Sequence, residues 1–101
     1  MKLDDQEKHA VTGAVKAMFA AAPAGDDKMR LYYVDMLQRI EADYITPGVR
    51  AFLRQLADKI LERTEKLMSS SSITEEAIVR ASVVKDLYAR IKEKTNEQST
   101  K

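Results

Sequence analysis

The 101-residue sequence contains no cysteine and no tryptophan, one histidine, two prolines and three glycines. Without cysteine there is no disulfide, no thiolate zinc site and no cysteine nucleophile. With His9 as the one histidine, no His/Cys metal-ligand spacing can be written. The scarcity of proline and glycine, set against abundant Ala, Leu, Lys, Glu and Arg, favours long helices over strands and turns. An excess of one charge sign is missing too. Seventeen basic residues against 16 acidic ones leave a net charge of +1, so no global field draws the chain to nucleic acid or anionic lipid. Nor is there a long hydrophobic run. The most apolar stretch, VTGAVKAMFAAAPAG from Val11 to Gly25, is interrupted by Lys16, well short of the ~20 apolar residues a spanning helix needs. The residues before it, MKLDDQEKH, carry Asp4, Asp5 and Glu7, unlike the basic start of a secretion signal. The expectation is a cytoplasmic protein with no membrane segment.

What is present has the size of one domain, with 45% hydrophobic and 33% charged residues, and its apolar positions recur at helical spacing. A first helix is predicted over about residues 4–22, with Asp4 and Glu7 as a capping-box pair and Val11, Ala14, Val15, Met18, Phe19 and Ala22 as its inner stripe. Gly13, Ala17 and Ala21 form a second line of small residues, and Pro23 and Gly25 end the helix. Asp26 caps a second helix over 27–44, whose inner side is Met29, Tyr33, Met36, Leu37, Ile40 and Tyr44, flanked by Tyr32. Thr46-Pro47 starts a third over 47–68, with Val49, Phe52, Leu53, Leu56, Ile60, Leu61 and Leu67 inward and Arg63 at a position where the seam should continue. After Ser69–Ser72, Thr74 caps a fourth over 75–94, with Ala77, Ala81, Val84, Leu87, Tyr88 and Ile91 inward. A polar tail over 95–101 follows. The fold expected is all-α: one helical domain over 1–94, built as an up-and-down four-helix bundle or as two helical hairpins, with a second copy of the chain as an alternative means of completing it.

The chemistry-bearing residues have simpler explanations. Asp4–Asp5, Asp26–Asp27 and Glu75–Glu76 each fall in a first helical turn, where capping and the helix dipole already favour acids. No phosphate-binding glycine loop, nucleophile elbow or His-Glu-x-x-His helix is present, so no catalytic residue, cofactor or metal is expected, and the protein is read as a non-enzyme. Arg50, Arg54 and Arg63 place bases on one side of the third helix, the nucleic-acid alternative, but Asp58, Glu62 and Glu65 are interleaved with them as in a solvated, ion-paired helix. The Ser69–Ser72 run reads as a connection, with phosphorylation as its functional alternative. Above that background stand Leu31 and Val34 on the second helix and Val79 and Val83 on the fourth, apolar residues lying off the inward stripes. They are the candidate partner-binding residues.

The segment LYYVDMLQRIEADYITPGVRAFLRQ, Leu31 to Gln55, joins a Tyr-x-x-x-Leu helix (Tyr33, Leu37) to a Val-x-x-Phe/Leu helix through a short turn. In this cadence it resembles the N-terminal helical domain of phage replication helicase loader or inhibitor proteins. That resemblance implies binding to a replicative helicase rather than catalysis, and assigns no individual site residue. By size and architecture alone, bacteriocin-immunity-like bundles are a further analogy. The expected function is a small helical regulator, inhibitor or adaptor acting on another protein.

Overall fold

A computed structural model describes residues 1–96 and places four helices there, with no strand among the described residues. They are α1 (Asp5–Ala21), α2 (Asp27–Glu41), α3 (Pro47–Met68) and α4 (Glu75–Asn96). The all-α class follows the sequence reading. The chain divides into two compact units, Met1–Phe52 and a second beginning at Leu53, so the division falls inside α3.

Each helix starts where a short polar side chain can satisfy its first free N–H groups. Asp4 accepts from the Glu7 N–H at 2.7 Å, and Glu7 Oε1 accepts from the Asp4 N–H at 2.9 Å, a complete capping box. Asp26 accepts from the Met29 N–H at 3.1 Å. The Thr46 and Thr74 hydroxyls each accept from the N–H three residues on, Val49 and Ala77, at 3.2 Å. α1 ends because Pro23 forces the preceding residue out of helical geometry: Ala22 adopts φ −63°, ψ 141°. Gly25, at φ +89°, then closes a turn in which the Asp26 N–H donates to the Pro23 carbonyl at 3.1 Å.

In the first unit the buried apolar residues are Leu3, Val11, Val15, Ala22, Met36, Ile40, Val49 and Phe52. Glu7, Val11 and Val15 recur every four residues as one ridge of α1, with Leu3 buried just before its cap, and even the Glu7 carboxylate is fully buried. α1 and α2 pack against each other and supply each other with a cation at the C-terminal end, where carbonyls lack partners. Arg30 of α2 donates to the Ala22 carbonyl at 3.4 Å and lies 5.9 Å from the centre of the Phe19 ring. Lys8 of α1 reaches the Glu41 carbonyl at 3.5 Å and the Asp43 carboxylate at 2.9 Å.

α2 is shorter than the expected 27–44. It ends at Glu41 in a Schellman arrangement: the Tyr44 N–H donates to the Arg39 carbonyl at 2.8 Å and the Asp43 N–H to Ile40 at 3.1 Å. This motif requires a left-handed residue after the cap and is usually filled by glycine. Here it is Asp43, with φ +59°. Released from the helix, Tyr44 is exposed, not inward as its spacing implied, and lies 5.6 Å from the Arg39 guanidinium.

In the second unit the buried apolar residues are Leu53, Leu56, Ala57, Ala81, Leu87, Tyr88 and Ile91. Lys92 of α4 pairs with Asp58 of α3 at 2.7 Å. The helical seam turns inward at Thr64, next to the exposed Arg63, and Leu67 is exposed. Thr64 can be buried because its hydroxyl donates to the Leu61 carbonyl at 2.9 Å. Thr95 does the same toward Lys92 at 2.6 Å and is 2% exposed. α4 therefore continues two residues past the expected 94, through a residue assigned to the tail. The remainder of that tail, 97–101, lies outside the described residues.

Candidate interaction surfaces

Three of the acids in first helical turns or caps are occupied in building helices. Asp4 and Asp26 are caps, and Glu76 makes an exposed i,i+4 pair with Arg80 at 3.6 Å. His9 is exposed. Among the described residues no group of three His, Cys, Asp or Glu is arranged to hold a metal ion, and no helix is long and apolar enough to cross a membrane. Ser69–Ser72 are exposed, and Ser69, Ser70 and Ser72 partner one another or the end of α3. The Ser69 hydroxyl donates to the Glu65 carbonyl at 3.0 Å, and the Ser72 N–H donates to the Ser70 hydroxyl at 3.4 Å.

The arginines predicted to share a side of α3 do not all do so. In the first unit Arg50 is half-buried. In the second, Arg54 and Arg63 are both exposed, but nine residues are two and a half helical turns, so they project from opposite sides of α3. Acids accompany them: Asp58 stands one turn beyond Arg54, and Glu62 precedes Arg63. The shared basic side expected of this helix is absent from that pair.

The apolar candidates sit differently. On α2, Leu31 is 68% exposed and Val34 half-buried. On α4, Val79 and Val83 are 62% and 54% exposed, one turn apart on the same face. Each unit thus presents an apolar pair or part-pair on the outside of a helix whose other side is already buried. The small residues Gly13, Ala17 and Ala21 are exposed as well, and among the described residues nothing lies within 4 Å of where a Gly13 Cβ would stand.

The outward position of Leu31, Val79 and Val83 was legible from the 100° helical rotation alone. The exposure of Phe19 and Met29, counted among inward positions, was not, because periodicity gives an angle and not the width of what covers it. The chain matches no protein-family model, no curated protein and no solved structure, so the resemblance to helicase loader domains rests on the sequence alone: the Leu31–Gln55 cadence and the preceding Met18–Pro23 segment, where a helix ends near a proline.

Proposed function

We propose that this chain is a small non-catalytic helical protein that works by occupying the surface of another protein, as a regulator, inhibitor or adaptor in the cytoplasm. The observation that carries this reading is the exposure of Leu31, Val79 and Val83 on helices whose opposite sides are buried. Scattered exposed apolar residues are ordinary, but Val79 and Val83 form a continuous i,i+4 patch. Burying a Val or Leu side chain stabilises by roughly 1.5–3 kcal/mol, a gain this chain leaves for a partner.

Two double variants test the reading: Leu31→Ser with Val34→Ser, and Val79→Ser with Val83→Ser. Both should keep native helicity by circular dichroism, and at least one should lose the protein captured by the native chain from its source cell. Loss of the helical signal would show that these positions belong to the core. Unchanged capture by both variants would remove them as the binding surface.

A further inference from the structure

The charges around Val83 have an order that says what the α4 surface fits. At 100° per residue, Glu76, Val79, Arg80, Asp86 and Arg90 all fall within about 60° of the direction of Val83, on an arc that also holds the buried Leu87, four residues after Val83 and so opposite Val79 about that centre. The six other than Leu87 are all exposed. Three residues before Val83 stands a base, Arg80, and three residues after it an acid, Asp86. Seven before stands an acid, Glu76, and seven after a base, Arg90. The charge pattern therefore inverts about Val83.

An inverting pattern is complementary to itself when two identical helices run antiparallel across a two-fold axis, since each residue then meets the one equally far on the other side. We propose that this face of α4 binds a second copy of the same chain, crossing at Val83, with Glu76 set against Arg90 and Arg80 against Asp86 of the other copy. The two-fold repeats each pair, giving four opposite-charge contacts around an apolar centre formed by Val79 and Val83. A parallel arrangement would set every charge against its own kind, so the polarity is specified as well as the partner. The intrahelical Glu76–Arg80 pair, at 3.6 Å with both side chains about four fifths exposed, is a weak contact that can be exchanged, and Arg90, exposed and also engaged within its own chain, would exchange its contact in the same way. This inference rests on the reading of Val79 and Val83 as a binding surface and names what they bind.

The test uses the full chain and two half-inverted variants, Glu76→Arg with Arg80→Glu, and Asp86→Arg with Arg90→Glu. Each variant alone sets like charges together at all four contacts. Mixed, the two restore all four. Sedimentation equilibrium over ~10 μM to ~1 mM, the range that populates a weak interface of below ~1,200 Å², should show the native chain as a monomer–dimer equilibrium. Each variant alone should dissociate about tenfold or more readily, four exposed pairs being reversed at some tenths of a kcal/mol each. The equimolar mixture should recover native association, and all species should keep native helicity. A native chain that stays monomeric throughout overturns the proposal. So does self-association unaffected by either half-inversion, or a mixture that fails to recover. These failures leave helicity intact, whereas failure of the broader reading appears as unfolding of the Val79/Val83 variant or as unchanged capture.

Discussion

Asp43 offers the sharpest test of how the first unit is held together, because one side chain carries two separable terms. It occupies a left-handed position at φ +59°, and it pairs with Lys8 at 2.9 Å across the α1–α2 contact. The left-handed conformation costs an ordinary L-residue roughly 1–2 kcal/mol, costs Asp and Asn less, and costs glycine nothing. The ion pair is partly solvated, with 26% of the Lys8 and 45% of the Asp43 side chain exposed, so it belongs with surface pairs worth about 0.2–1 kcal/mol. Lys8 also sits at the negative end of α2, 3.5 Å from the Glu41 carbonyl. That contact adds a few tenths of a kcal/mol and survives any change at Asp43.

The three substitutions at this position then separate. Asp43→Asn keeps the tolerance for φ > 0 and removes the charge, a loss of about 0.5 kcal/mol. Asp43→Ala loses both, about 1–2 kcal/mol in all. Asp43→Gly loses the pair and gains the backbone relief, so it should lie within about 0.5 kcal/mol of native on either side. In thermal unfolding followed by circular dichroism, about 1 kcal/mol corresponds to roughly 4–8 °C for a chain of this size. The expected order is native and Gly together, then Asn, then Ala lowest. An Ala variant as stable as the Asn variant would refute the left-handed cap. A double-mutant cycle with Lys8→Met isolates the charge term. Its coupling should shrink between ~0.1 M and ~1 M salt, where the screening length falls from about 10 Å to about 3 Å.

The capping box makes Asp4→Ala a destabilising change of about 1 kcal/mol, read as a lowered urea midpoint at unchanged slope; a neutral result would mean that the Asp4 carboxylate contributes nothing to the start of α1. Burial raises the Tyr88 phenol above its ordinary value of 10.0. Because the folded value lies above the unfolded one, the associated stability is complete below pH ~10 and is lost as the pH rises through the folded value. The urea midpoint of Tyr88→Phe should therefore fall less than that of the native chain between pH ~9 and ~11, and an equal fall would contradict the buried phenol.

The parts of this fold that could be read from sequence are those set by neighbours in the chain. All four N-caps are three-residue signals between a short polar side chain and a nearby N–H, and Asp4, Asp26, Thr46 and Thr74 each make the predicted bond. The centres of the stripes were equally legible: Val11 and Val15, Met36 and Ile40, Leu53 and Leu56, Ala81 and Ile91 are buried. What escaped depends on residues far apart or on unusual occupants. The end of α2 was hidden because aspartate stands where glycine would have announced a Schellman cap. The Lys8–Asp43 and Arg30–Ala22 contacts join different helices and leave no periodic trace. Thr64 and Thr95 read as polar, yet hydroxyls that donate to a carbonyl one turn back can be buried at little cost.

The same distinction separates the two apolar faces. A two-fold crossing at Leu31 would set Asp27, four residues before it, against Asp35, four residues after it, so like charges would meet on both sides of the centre. Asp35 is moreover already engaged by Arg39 at 2.9 Å. The flanking charges of the α2 face are therefore not complementary about Leu31, whereas those of the α4 face are complementary about Val83, although both faces carry exposed apolar side chains, Leu31 on one and Val79 and Val83 on the other. Apolar exposure alone would treat them as equivalent, and the signs of the flanking charges do not. In the sedimentation test the Leu31→Ser, Val34→Ser variant should accordingly associate as the native chain does, while Val79→Ser with Val83→Ser should not. Equal loss in both would mean that self-association follows exposed apolar area wherever it lies, and the charge inversion about Val83 would then have no part in choosing the partner.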